Sequence, residues 1–65
     1  MPNYNVFMWV HQNDGTKQRV FFGADSKIEA IEIAKQKQHL TKDKIIVRQL
    51  NKTTTMYETF LVINN

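Results

Sequence analysis

The chain has no cysteine, one proline and two glycines. Without cysteine there is no disulfide to restrain the unfolded chain and no thiolate to act as nucleophile or metal ligand. That composition suits a reducing compartment, and a cytoplasmic location is expected. No apolar run approaches the roughly 20 residues that a membrane-spanning helix needs. The first residues also lack the basic-then-apolar form of a secretion signal. No membrane is therefore expected as a partner. Asn51-Lys52-Thr53 fits a glycosylation acceptor, but without a secretion signal it reads as a polar turn.

Chemistry-bearing constellations are equally scarce. The two histidines, His11 and His39, are far apart in sequence, and no carboxylates are paired at a spacing that suggests an acid–base couple. His11 falls at a strand end beside a turn. His39 falls at a helix end, where its charged form would suit the helix dipole. Glu29, Glu32 and His39 share a helix face but lack the His-Glu-x-x-His spacing of zinc enzymes. Gly15 and Gly23 are isolated, so there is no phosphate loop and no dinucleotide fingerprint. No enzyme, catalytic residue, cofactor or metal ligand is expected.

What is present fits one small domain, residues 1–65. The clearest element is a helix within Ala24–His39. Ser26 and Glu29 have capping-box spacing, in which the hydroxyl accepts a free N–H of the first turn and the carboxylate reaches back. Ile28, Ile31 and Ala34, with Ala30 and Ile33 adjoining, give an apolar stripe at helical spacing. Asp25, Glu29 and Glu32 near the start and Lys35 and Lys37 near the end suit the macrodipole.

Four strands surround this helix. Tyr4–His11 is rich in β-branched and aromatic residues, with Tyr4, Val6, Met8 and Val10 on one face and Asn5, Phe7, Trp9 and His11 on the other. Asn13-Asp14-Gly15 predicts a tight turn into a second strand, Lys17 to Gly23. Thr41-Lys42-Asp43 reads as a solvent-facing link. A third strand is predicted over Lys44–Asn51 and a fourth over Thr55–Ile63, joined by a turn at residues 51–54. In the fourth, Met56, Glu58, Phe60 and Val62 should share one face, and Tyr57, Thr59, Leu61 and Ile63 the other. The result is an α+β domain of order β-β-α-β-β, with a four-stranded, mainly antiparallel sheet and one helix on one face. The first and fourth strands, the most apolar, are expected in the middle, with the charged second and third strands as edges.

A sheet with one wet face should alternate cleanly between apolar and polar residues. These strands do not. Phe7 and Trp9 oppose Val6, Met8 and Val10; Tyr57, Leu61 and Ile63 oppose Phe60 and Val62. Which face the helix covers is left open, but either choice leaves large apolar groups bare, and such patches mark interaction sites. The chain is thus expected to be a non-enzymatic binding module that acts by occlusion. Its partner would be another protein or a second copy of itself. Phe7, Trp9, Phe21 and Tyr57 would be the anchors, and Arg19 and Arg48 a polar rim. Replacing Phe7 and Trp9 by Ser is expected to abolish the partner interaction without unfolding the chain.

The alternative is nucleic acid, with aromatic rings stacked on bases and Arg19, Lys44 and Arg48 on phosphates. Arg19-Val20-Phe21-Phe22-Gly23 echoes the aromatic-and-basic strand of RNA-recognition sheets, without their glycine spacing or third aromatic. The net charge of +3 permits this reading without demanding it. In size and composition the chain resembles the short, cysteine-free, single-domain proteins of bacteriophages and mobile elements. Many of these occupy a surface of a host protein, as anti-restriction and anti-CRISPR inhibitors do. That resemblance implies an inhibitor and names no site residue.

Overall fold

A computed structural model describes residues 1–64. The elements are β1 (Tyr4–His11), β2 (Lys17–Ala24), α1 (Lys27–Gln36), β3 (Ile45–Asn51) and β4 (Met56–Ile63), with a short 3-10 turn, Gln38–Leu40, after the helix. The fold is the expected α+β domain, with an antiparallel sheet of four strands and one helix.

Both hairpins are held by polar side chains at their turns. In the first, Gln12 N–H donates to the Thr16 carbonyl and Gly15 N–H to the Gln12 carbonyl. Gly15 ends the loop at φ 88°, a left-handed conformation that suits glycine. Asp14 Oδ1 accepts from Thr16 Oγ1 at 2.6 Å and from Thr16 N–H at 3.0 Å. These bonds, the hydroxyl first, hold the Asp14 carboxyl below its ordinary pKa. In the second hairpin Asn51 Oδ1 accepts from the N–H groups of Thr53 and Thr54. Thr55 closes that turn at φ 60°, a conformation that costs a β-branched residue about 1–2 kcal/mol.

The helix starts where its cap is written. Ser26 Oγ accepts from Glu29 N–H at 3.2 Å, and Glu29 Oε2 accepts from Asp25 N–H at 3.3 Å. The return bond thus goes to the residue before the cap rather than to the cap itself. The buried side of the helix is narrower than the apolar stripe suggests. Ala30 and Ala34 are fully buried, whereas Ile28 is 71 % exposed. Two alanines one turn apart let the helix axis come close to the strands, where Val6, Met8, Ile45 and Val47 fill the core. Thr41 is also buried, and its hydroxyl accepts from Asp43 N–H, so the expected solvent-facing link is partly tucked in.

The strand order is β2-β1-β3-β4, which corrects the expected placing of the fourth strand beside the first. Direction is the physical reason. The helix carries the chain back along β2, so β3 runs antiparallel to β1 and can pair with it directly. β4 would have to pair with β1 in parallel. Antiparallel pairing throughout puts β3 inside and leaves β4 as an edge.

β4 contains a second departure. Val47 pairs with Leu61 and Arg48 with Thr59, so Phe60 is an extra residue in a β-bulge. The bulge breaks the expected alternation. Tyr57, Thr59 and Val62 follow Leu50, Arg48 and Ile46 onto the face away from the helix. Phe60 turns to the helix side, its ring 5.9 Å from Tyr4 and 5.0 Å from Lys27 Nζ.

Candidate interaction face

The core consists of the helix and one face of the sheet, so the other face is bare. Register builds this open face in rows across the strands. Phe7 pairs with Phe21 on one side and Ile46 on the other, and Ile46 pairs with Val62. An apolar row thus runs from edge to edge. Next to it toward the first hairpin lies Trp9, opposite Arg19. On its other side lie Gly23, Asn5, Arg48 and Thr59. Beyond Phe7, β1 has no β3 partner, and Trp9 stands on a two-stranded ribbon formed with β2.

The six residues singled out from sequence, Phe7, Trp9, Arg19, Phe21, Arg48 and Tyr57, therefore share one face. They do not share one environment. Phe7 is only 8 % exposed although no helix covers it. Its ring lies 5.9 Å from Trp9 and 5.2 Å from Phe21, with the Arg48 guanidinium 5.0 Å from its centroid. Phe7 is the floor of the cluster, and the neighbouring groups roof it. Substituting Phe7 therefore disturbs packing as well as surface, against the expectation that its loss would leave the fold untouched.

Phe21 is 51 % exposed and forms the outer wall. Trp9 carries two cations near its ring, Lys17 Nζ at 5.0 Å and the Arg19 guanidinium at 5.9 Å. Such cation–π contacts at accessible sites are worth about 0.5–1 kcal/mol each. They hold the cations in place over the rings.

Tyr57 is tied down. Its hydroxyl donates to the Pro2 carbonyl at 2.7 Å. Pro2 in turn packs on Gly23, where a Cβ would stand 2.7 Å from Pro2 Cγ. The N-terminal residues thus close the far end of the open face, and Asn3 extends the ladder by accepting from Leu50 N–H. The alternation of the strands does not place Pro2 or Tyr57 in such a brace. The one hint was a glycine in a strand, which often marks close backbone approach.

The electrostatics are one-sided. No strand position on the open face is Asp or Glu, while Lys17, Arg19 and Arg48 project there. The carboxylates lie elsewhere. Asp14 is in the first turn, Asp25, Glu29 and Glu32 are at the helix, and Glu58 accepts from Asn51 Nδ2. Asp43 Oδ2 is 2.9 Å from His11 Nε2 at the end of the ribbon. Asn5 Oδ1 is buried with no hydrogen-bond partner among the described residues, an arrangement that typically costs about 1–3 kcal/mol.

Among the described residues, no group of three or more His, Cys, Asp or Glu side chains is placed to hold a metal ion. No helix is long and apolar enough to cross a membrane. No protein-family model, curated protein or solved structure matches the chain.

Proposed function

We propose that this chain is a non-enzymatic, cytoplasmic binding module whose open sheet face docks onto another protein and occludes the surface it covers. The observation that carries this reading is the apolar row from Phe21 through Phe7 and Ile46 to Val62, left bare by the helix and flanked by Arg19 and Arg48. An aromatic centre with an arginine rim is the composition of an energetic hot spot. With Lys17, Arg19 and Arg48 on the face and no Asp or Glu at its strand positions, the matching surface is acidic. Trp9 and Phe21 are the anchors, and Arg19 and Arg48 choose the partner by charge. Tyr57 supports the face through Pro2 and contributes less directly. An inhibitor that works by covering a partner's surface needs no more than this.

The test places a photo-crosslinking phenylalanine analogue at position 21, and separately at Glu32 on the helix side, in a lysate of the source cells. A discrete protein adduct from position 21 alone is expected. Trp9→Ser, with position 21 as the crosslinker, should weaken capture by about thirtyfold, corresponding to roughly 2 kcal/mol for a hot-spot residue. Adducts from position 32 with none from position 21 would overturn the reading.

The absence of Asp and Glu from the strand positions of the face also supports single-stranded nucleic acid as a second reading. Titration with an oligothymidylate at two salt concentrations separates the two. A steep loss of affinity with salt favours nucleic acid, and no binding favours the protein partner.

A further inference from the structure

We infer that a second copy of this chain pairs along β4 across a two-fold axis, joining both sheets into one. The inference rests on the β4 edge and does not depend on the open face being a docking site. Apart from Met1, the exposed large apolar residues are Phe21, Ile28, Met56, Phe60, Leu61 and Val62. Four of these six, Met56, Phe60, Leu61 and Val62, lie on β4.

The helix shows which flank faces this edge. Lys37 Nζ is 5.5 Å from the Phe22 ring on β2, and Lys27 Nζ is 5.0 Å from the Phe60 ring on β4. At helical spacing Ile31 follows Lys27 by one turn and so sits on the β4 flank, whereas Ile28 lies roughly 140° around the helix from the buried Ala30 and Ala34 and faces solvent. The helix packs on β1, β2 and β3; on β4, Lys27 reaches Phe60 and Ile63 packs on the core, while Met56, Phe60 and Leu61 stay exposed.

Three surfaces thus coincide along one edge: an unpaired backbone ladder, Val62 on the open side, and Phe60 and Leu61 on the helix side. A bare peptide strand would satisfy the ladder only. A two-layer domain with its own helix flank covers all three at once, and a second copy provides that shape through the two-fold. Charge permits the self-pairing. Glu58 is the only charged residue of β4, so an antiparallel register centred near Phe60 sets no like charges opposite each other. Edges that avoid pairing carry Lys, Pro or a short length. β2 carries Lys17 and Arg19, whereas β4 has no such guard beyond its bulge.

Analytical ultracentrifugation of the full chain from low to high micromolar concentration tests this directly. A monomer–dimer equilibrium is expected. Val62→Lys, at a position already 41 % exposed, should raise the dimer dissociation constant by about tenfold or more. Phe21→Lys, on the opposite edge, should leave it unchanged, with far-UV circular dichroism confirming that both variants are folded. Amide hydrogen exchange in the unsubstituted chain gives a second readout. Protection within Met56–Ile63 should rise with concentration, and protection within Lys17–Ala24 should not. A monomer at high micromolar concentration overturns the inference. So does a dimer lost in Phe21→Lys but kept in Val62→Lys. Leu61→Lys, at a 37 % exposed position on the helix side of the same edge, should weaken the dimer as well. Because it leaves the open-face row intact, its monomer carried into the crosslinking experiment tests that face on its own.

Discussion

At the scale of single residues, Phe7 shows why exposure does not follow from which face a side chain occupies. It lies on the uncovered side, yet its ring is enclosed by Trp9, Phe21 and Arg48. A chain of this size has a total stability of only about 3–10 kcal/mol. Truncating a buried Phe to Ala costs about 3–5 kcal/mol. Phe7→Ala is therefore expected to remove a large part of the stability, while Phe21→Ala should cost about 1 kcal/mol or less because that ring is already half in solvent. Urea denaturation of the two variants measures the contrast. Equal losses would place both rings in one core or both at the surface. The period-two pattern was enough to put Phe7, Trp9, Phe21 and Arg48 on a common face. It could not show that three of these bury the fourth, because burial depends on neighbours from other strands.

At the scale of elements, the helix and first hairpin were legible because their signals are local. Ser26, Glu29 and Gly15 each act within a few residues of their own position; Ser26 and Gly15 do what type and spacing imply, and the Glu29 return bond lands one residue early, on Asp25 N–H. Ser26→Ala removes the acceptor for Glu29 N–H and should lower stability by about 1 kcal/mol, seen as a shift in the thermal midpoint. No shift would mean that tertiary packing alone fixes the helix start. The misread features are non-local. Nothing in Thr59-Phe60-Leu61 marks a bulge, and the bulge reverses which side chains face the helix. Likewise, the apolar richness of β4 suggested a central strand, but chain direction made it an edge. The exposed Ile28 has the same origin. Helical spacing gives a broad stripe, and only the approach through Ala30 and Ala34 determines which part of it is buried.

At the scale of the whole molecule, one short helix packs on three strands, leaving the opposite sheet face uncovered apart from the end braced by Pro2, and leaving β4 as an exposed edge. The two bare regions differ in character. The open face is aromatic and cationic, suited to an acidic partner, while the β4 edge is apolar and nearly uncharged, suited to its own copy. Pairing along β4 would leave the two open faces on the same side of a continuous sheet. A dimer would then present two copies of the Trp9 and Phe21 cluster to one partner, and the two sites would strengthen each other if the partner's geometry allows both to engage.

The central claim is that the aromatic cluster stands outside the helix-covered core, beneath cations. Trp9 is the only tryptophan, so its fluorescence reports on this face alone. Collisional quenching by iodide and by caesium measures both properties in one experiment. The indole should be open to quenching, with iodide clearly more effective than caesium because Lys17 and Arg19 draw the anion in. An indole protected from both ions would contradict the claim, as would one quenched equally by the two.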